Sequence, residues 1–490
     1  MRRAKAPDGR FAAQVSRQVG SATGAAPGSA TLDDVTHVAV VGGGISGLAA
    51  AYYLRAGGVD VTVLDKAPAV GGLLQVSSVA GLPVDEGAES LLNRRPEAVD
   101  LVREVGLGGD IVYPSEAPAA VWSRGRLHRL PPGTVMGVPS DPDALGGLLE
   151  AGELERVAAD RALPGMPLTG DVPVGRLVAE RLGPAVAERL VEPLVGGVYA
   201  GHADELSLRA TVPALAAAAE KEKSLLEAAA SVQAAAPPSD VPVFAGIRGG
   251  VGRLSHAVAA ASGATVRTGT TVRALHRGNG WRLETGPAPR PEHVAADAVV
   301  VAVPPAPAAR LLSGVAPVAA AELGRVEQAS VAVVTLVLPA TAFPRPPEFS
   351  GFLVPPVEGR TVKAVTFSSV KWPWLAELAG GLVALRASVG RHREVADLQR
   401  TDDDLVRAVL GDLRDMLGVT SGPVDARVSR WGGALPQYAV GHTERMARVR
   451  EAVDATPGLA VCGATYDGVG VAACVAGARR AATRVLDAVG

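Results

Sequence analysis

Cysteine is almost missing from this chain of 490 residues: only Cys462 and Cys474 occur. Both lie in one glycine-rich segment, at a spacing that suits neither a metal site nor a disulfide framework. They read as small buried hydrophobes. Aromatic residues make up 3% of the chain against 48% hydrophobic residues in all, so the apolar content rests on Ala, Val and Leu. Lysine is confined to Lys5, Lys66, Lys221, Lys223, Lys363 and Lys371, and arginine carries the remaining positive charge. The formal net charge of −2 gives no support for nucleic-acid binding. No uninterrupted apolar stretch reaches the length of a transmembrane helix. The longest uncharged stretch, Ala67 to Val84, is broken by Pro and Gly. The basic N-terminus lacks the apolar core of a signal peptide, so a cytoplasmic, reduced protein is expected. The eight histidines are scattered. No His/Cys cluster offers a metal site, and no Ser/His/Asp arrangement stands out.

What is present is concentrated near the start. His37-Val38-Ala39-Val40-Val41 is an apolar, β-branched run that leads into Gly42-Gly43-Gly44-Ile45-Ser46-Gly47. A helical stretch from Leu48 to Leu54 follows. A second β-branched run, Val59 to Leu64, ends on Asp65. Strand, Gly-x-Gly-x-x-Gly turn, helix, strand and acid in this order are the dinucleotide-binding fingerprint. Gly42 permits the tight turn, Gly44 lets backbone approach a pyrophosphate, and Gly47 lets the helix pack close to the strand. The helix N-terminus offers free N–H groups to the phosphates, and Asp65 can accept from ribose hydroxyls. Ala67-Pro68-Ala69-Val70-Gly71-Gly72-Leu73 comes directly after the acid, and its Gly-Gly pair resembles the one that, in flavoproteins of the amine-oxidase-like group, lets the chain pass under the flavin side of the pyrophosphate.

At this length two or three domains are expected. Residues 1–35 read as a disordered leader. Pro96 to Val105 has the period of an amphipathic helix, and Val121 to Leu130 that of a hairpin around Gly125. Asp141 to about Ala200 is helical with proline breaks, and Ala214 to Ala236 is an alanine-rich helix. Val243 to Leu254 holds a second glycine-rich turn. Thr265–Arg267, Thr271–Leu275 and Trp281–Glu284 read as strands. Asp297 to Pro304 is a continuous apolar run, as in a buried parallel strand. Val331–Leu338, Gly351–Val354, Thr361–Ser368 and Leu382–Val389 read as a separate, largely antiparallel sheet. Asp402 to Leu417 is helix, and the chain closes with a strand at Leu459–Gly463 and a helix from about Gly470. Pieces of a nucleotide fold thus recur at the start, middle and end, which implies discontinuous domains with the ligand at their junction.

Five segments together resemble the flavin-dependent porphyrinogen oxidases of the haem pathway. They are the fingerprint with Gly71-Gly72; Asp85-Glu86-Gly87-Ala88-Glu89-Ser90-Leu91-Leu92-Asn93-Arg94; Glu192-Pro193-Leu194-Val195-Gly196-Gly197-Val198-Tyr199-Ala200-Gly201; Phe244 to Gly250; and Gly463-Ala464-Thr465-Tyr466-Asp467-Gly468-Val469-Gly470-Val471-Ala472. The third is the most specific. The chain departs from the pattern at Asp65, where Glu is usual, at Leu73, where Arg or Lys often stands, and at Ala88 in place of Pro. Within the family the chain looks like the compact soluble type of Gram-positive bacteria. Those enzymes are taken to oxidise coproporphyrinogen III to coproporphyrin III, whereas membrane-bound relatives act on protoporphyrinogen IX.

The resemblance implies an α/β fold: a Rossmann-like FAD-binding domain of the amine-oxidase-like group, a mixed or antiparallel substrate sheet and a helical subdomain. Their expected boundaries are 36–92, 240–303 and 455–490 for FAD, 93–200 for the helices, and 201–239 with 304–454 for substrate. It implies FAD held by Gly42, Gly43, Gly44, Ile45, Ser46, Gly47, Asp65, Lys66, Gly71, Gly72 and Leu73. Val272 and Val301–Ala302 would meet the same cofactor. Gly463, Gly468, Val469, Gly470, Val471 and Ala472 would present backbone N–H groups near the flavin. The flavin carries the chemistry, with no catalytic side chain and no metal. A porphyrinogen and molecular oxygen are the expected partners, with transient contact to the next enzyme of the pathway. The substrate's propionates call for cations, with Arg94 first and Lys221, Lys223, Arg248 and Lys363 behind it. Tyr199 or Phe352 would stack on the macrocycle. Protoporphyrinogen IX is the alternative substrate. Another flavin amine-oxidase-like enzyme, or a non-catalytic flavin- or porphyrin-binding protein, is the further alternative.

Overall fold

The computed structural model describes residues 35–165, 168, 170–235 and 241–490. Apart from Val35, the expected leader lies outside them. A five-stranded sheet runs in the order Thr265–Arg267, Asp60–Leu64, His37–Val41, Ala298–Val301, Leu459–Val461. All its pairings are parallel, with Val40 beside Val63 and Val300, and Val300 beside Ala460. Such strands must be apolar on both faces. Val38, Ala39, Val40, Val299 and Val300 are fully buried. One face packs on the helices Ile45–Ala56, Arg253–Ser262 and Val471–Val489. The other packs on a three-stranded antiparallel sheet, Ala274–Gly278, Gly280–Thr285 and Glu292–Ala296, and on the helices Pro305–Leu312, Pro317–Leu323 and His442–Asp454.

Val272 falls short of the expected strand. Pairing starts only at Ala274, because the preceding residues serve the fingerprint instead. Gly269 N donates to Ala67 O at 2.8 Å, and Thr270 N to Asp65 O at 2.7 Å.

A second sheet has seven strands in the order Asp425–Pro436, Gln328–Pro339, Leu382–Val389, Val362–Thr366, Gly351–Leu353, Ala119–Ser123, Arg126–Arg129. Every pairing is antiparallel except that of Gly351–Leu353 with Ala119–Ser123. The alternating register sends Leu336, Leu338, Leu385, Val365 and Phe352 to one face, where they pack on Leu405, Val409 and Leu413 of the helix Asp402–Leu417. From the other face Val121 and Leu353 reach the helical section.

That section departs from the expected pattern in two places. The alanine-rich helix is two helices, Pro213–Ala219 and Leu225–Ala235. The second starts where Asp160 Oδ2 accepts from Leu226 N at 3.0 Å and Ser224 Oγ from Glu227 N at 3.2 Å, so the orphan donors of its first turn find side chains. Asp160 is itself held by Arg181 Nε at 2.6 Å, with both side chains buried. The stretch before Tyr199 is wider than an α-helix: Ala187–Gly196 is a π-helix with Pro193 inside it, followed by a turn at Gly197–Tyr199. Pro193 has no N–H to give, so an ordinary α ladder cannot continue through it. Long π segments are rare and gather at functional sites.

Candidate active site

The fingerprint turn is fixed by close backbone contacts. Gly42 has φ 112°, and a Cβ there would stand 2.5 Å from Ala302 O. At Gly47 a Cβ would stand 1.9 Å from Gly42 O, so helix and strand approach more closely than any other residue permits. Val301 is fully buried, and Ala302 N donates to Val41 O at 2.8 Å. Gly44 caps the helix Ile45–Ala56 without a side-chain partner, and no acid lies in that first turn. A Cβ at Gly44 would meet nothing within 4 Å. Ile45 and Ser46 are buried behind it.

Asp65 sits across the turn. One carboxylate oxygen accepts from Gly43 N, and the other from Ala67 N at 2.7 Å. It therefore holds the glycine loop as well as offering free lone pairs outward. Gly71 N donates to Gly43 O at 2.7 Å, which lays the Gly-Gly pair beside the first turn. Gly71 and Gly72 have φ of 114° and 57°, conformations that glycine adopts without strain. Leu73 is half-buried behind them and Lys66 is exposed.

A second open turn lies at the other end of the chain. Gly463 (φ 135°) and Gly468 (φ 132°) bracket a short helix, Ala464–Asp467. Gly470 caps Val471–Val489, again with no side-chain cap and no first-turn acid. Positions for a Cβ on Gly463 and Gly470 are empty to 4 Å. Ala472 is buried, and Val469 and Val471 are half-buried. The helices behind Gly44 and Gly470 share one core. Two uncapped helix N-termini and three open glycines make a cradle for an anionic, extended ligand. Those features fit a dinucleotide.

Asp85 joins two of the glycine motifs. Its oxygens accept from Val251 N at 3.0 Å and Gly252 N at 2.9 Å, at the start of the helix Arg253–Ser262. Burial pushes its carboxyl up to about 6, against the pull of those two donors. Glu89 ties the same segment to the seven-stranded sheet. It accepts from Trp372 Nε1 at 2.7 Å and Arg386 Nη1 at 2.9 Å, and Lys371 Nζ lies 4.0 Å away. Burial alone would raise its pKa, but Lys371 and Arg386 outweigh it and hold the carboxyl at about 2.

The segment from Glu192 to Gly201 is anchored just as firmly. Glu192 Oε2 accepts from Ala203 N at 2.6 Å, and Gln437 Nε2 donates to Tyr199 O at 2.8 Å. The Tyr199 ring lies 5.1 Å from that of Tyr438, and Tyr438 stacks on His442 at 4.0 Å. Tyr438 Oη donates to Ala464 O, and His442 Nε2 to Thr465 O at 2.9 Å. The stack therefore runs from the π-helix to the turn before Gly468. Burial lowers the His442 imidazole to about 4, which keeps it neutral.

The expected cations and rings do not share one place. Arg94, Arg248, Lys221 and Lys223 are exposed. Arg94 lies between the strand Leu91–Leu92 and the helix Pro96–Glu104. Lys363 is 6% exposed, and Phe352 only 2%. Phe352 is a core residue: its ring lies 6.2 Å from that of Phe367, on the face turned to the helix Asp402–Leu417. Strand alternation decides this, since Leu353 takes the opposite face. Glu89, Arg386, Tyr438, His442 and Arg391 were not singled out in the sequence. Glu89 stood inside a motif already noted. Arg386 and Tyr438 meet partners more than 200 residues away, at Glu89 and Tyr199, and the contacts of His442 and Arg391 follow from how those segments pack.

The model of the flavin-containing amine oxidoreductases matches residues 45–486. The chain belongs to that family. Its cofactor is FAD. It is 41% identical over 454 residues to the coproporphyrinogen III oxidase of Mycobacterium tuberculosis (strain ATCC 25618 / H37Rv), covering 92% of this chain and 97% of that one. It is 31% identical over 459 residues to the coproporphyrinogen III oxidase of Bacillus subtilis (strain 168), covering 90% and 96%. A crystal structure from Exiguobacterium sp. 255-15, provisionally named protoporphyrinogen oxidase, superposes with a TM-score of 0.80 at 33% identity, covering 92% of this chain and 98% of that one. The α/β fold with its mixed sheet and helical section is thus borne out. Among the described residues no helix is long and apolar enough to cross a membrane, and no cluster of potential metal ligands occurs.

Proposed function

We propose that this protein is a cytoplasmic oxidase that converts coproporphyrinogen III to coproporphyrin III in haem biosynthesis. The likeness to the mycobacterial and Bacillus enzymes over nine-tenths of the chain carries this reading. FAD supplies, when bound, a two-electron hydride acceptor, with molecular oxygen as terminal oxidant and hydrogen peroxide as product. Gly43, Gly44 and Ile45, with Gly470, Val471 and Ala472, would direct backbone N–H groups at the two phosphates. Gly42, Gly47, Val301 and Ala302 shape the turn, and Asp65 would accept from the ribose. Gly71 and Gly72 would let the chain pass under the pyrophosphate, beside Ser46, Lys66, Leu73 and Val272. Gly463, Gly468 and Val469 would border the flavin ring.

The macrocycle would lie between that border, the turn Gly197–Tyr199 and the inner face of the seven-stranded sheet. Leu353 marks this junction, with one methyl 3.9 Å from a Cβ placed on Gly197. Each two-electron step removes a hydride from carbon and releases one proton from the macrocycle to solvent, so the residues around the ring must hold it face-on and need not donate protons. Neutral Tyr199, Tyr438 and His442 suit that task. Arg94 and Arg248, both exposed, would meet outer propionates, and the product would pass to the next pathway enzyme.

The test is anaerobic mixing of the holoenzyme with coproporphyrinogen III. Flavin absorbance should bleach as coproporphyrin fluorescence appears, and air should restore the flavin with peroxide release. A flavin that stays oxidised refutes the reading.

A further inference from the structure

Two cations, Lys363 and Arg391, sit inside the protein, and Glu192 of the π-helix acts on the second of them. Lys363 occupies a β-bulge. Val362 pairs with Val389 and Ala364 with Ser388, so Lys363 is the extra residue. Val362 and Val365 point into the core with Phe352 and Val389. Lys363 is left on the other face with Leu353, the residue that packs toward the helical section. Its side chain is buried, yet its amine makes no hydrogen bond or ion pair with any described residue.

Arg391 lies at the end of the neighbouring strand, with its side chain 11% exposed. It donates from Nη2 to Val354 O at 3.2 Å, and Glu394 is 3.8 Å away and half in solvent. The adjacent His392 N donates to Ala200 O at 2.7 Å, which fixes this corner to the turn after Tyr199. Burial lowers both cations, and Arg391 lowers Lys363 further, to about 7; Glu394 pulls both the other way, and Glu192 of the π-helix does so for Arg391. A buried amine without an acceptor beside a buried guanidinium is costly in the folded protein. It becomes favourable when an anion arrives.

We propose that Lys363 and Arg391 form a carboxylate site for one propionate of the porphyrinogen, and that this site selects macrocycles bearing a propionate on every pyrrole ring. The inference rests on the substrate class given in the preceding subsection. A tetrapropionate ring cannot be enclosed in any orientation without burying at least one carboxylate. That carboxylate needs a buried cation. A dipropionate ring can turn its vinyl edge inward and leave both carboxylates in water, but here that edge would leave the Lys363 amine unpaired. The site therefore favours the first substrate and disfavours the second.

The experiment compares holoenzymes of wild type, Lys363→Met, Lys363→Arg and Arg391→Gln. Coproporphyrin III and protoporphyrin IX are titrated by fluorescence, and kcat/KM is measured on both porphyrinogens. Flavin content and Tm report folding. Lys363→Met should weaken coproporphyrin III at least tenfold and leave protoporphyrin IX unchanged or bound more tightly. Lys363→Arg should recover most of the loss, and Arg391→Gln should show the same selectivity change. Should Lys363→Met lose its flavin, Arg391→Gln decides by the same ratio. Equal losses on both ligands, or none, overturn the carboxylate site alone. A wild type inert toward coproporphyrinogen III overturns the underlying reading as well.

Discussion

Three residues carry separable tests of the cofactor site. Gly44→Val should empty it, because a side chain there enters space that no described residue fills within 4 Å, where the pyrophosphate would lie. Purified protein should show little flavin absorbance but a normal circular dichroism spectrum. Gly47→Ala should act differently: its Cβ meets Gly42 O, so the turn itself must open and Tm should fall with flavin content. Asp65→Ala should weaken FAD by about 1.5–3 kcal/mol, the scale of a hydrogen bond to a charged group. Part of that loss comes from the loop, since Gly43 N and Ala67 N lose their acceptor. Arg94→Ala should raise KM and leave flavin content intact. Its effect should shrink with added salt because the side chain is exposed. An unchanged KM would remove Arg94 from the pocket.

At the scale of elements, two groups make the packing of loop on sheet sensitive to acid. Glu89 has its pKa lowered to about 2, so its contribution is complete above its ordinary value and disappears as pH falls from 4.5 to about 2. His442 is lowered to about 4, so folding excludes a proton that the unfolded chain binds below 6.5. Its contribution is lost as pH falls from 6.5 to 4. Asp85 works against them: raised to about 6, it contributes below 3.8 and loses that contribution as pH rises through 6.

His442→Phe keeps a ring against Tyr438 and removes one titration. Its unfolding free energy should decline less steeply than wild type between pH 6.5 and 4. Equal slopes in urea titrations across that range would show that His442 is not held neutral. Glu89→Gln leaves Lys371 and Arg386 buried without a counter-charge. It should destabilise the protein by roughly 3–5 kcal/mol, the usual result of breaking a buried pair from one side.

Across the whole molecule, what the sequence revealed was local. The turn from Gly42 to Gly47, the acid at Asp65 and the buried strand Ala298–Val301 each declare themselves within a few residues, through β-branching and glycine spacing. The parallel sheet follows, because its strands are apolar on both faces. The bond from Arg386 to Glu89 and the stack of Tyr438 between Tyr199 and His442 leave no such trace. Each joins segments hundreds of residues apart, and nothing in a strand's alternation says which distant carboxylate meets its arginine. Phe352 was misplaced for a related reason: alternation puts it on one of two faces, and only the register against Phe367 and Val365 says which. Lys363 reads in the sequence as one of several cations for the propionates, with nothing to set it apart from exposed Lys221 and Lys223. Its burial follows from a bulge that no residue type announces.

Discontinuous assembly also explains why the proposed cofactor site draws on residues near 44, 72, 302 and 468. The most direct test of the account is a side-by-side steady-state measurement of kcat/KM on coproporphyrinogen III and protoporphyrinogen IX, in air and at low ionic strength. The account predicts turnover of both, with coproporphyrinogen III clearly preferred and the preference only partly reduced by salt, since Lys363 and Arg391 are shielded from it. A preference for protoporphyrinogen IX at low salt would contradict it.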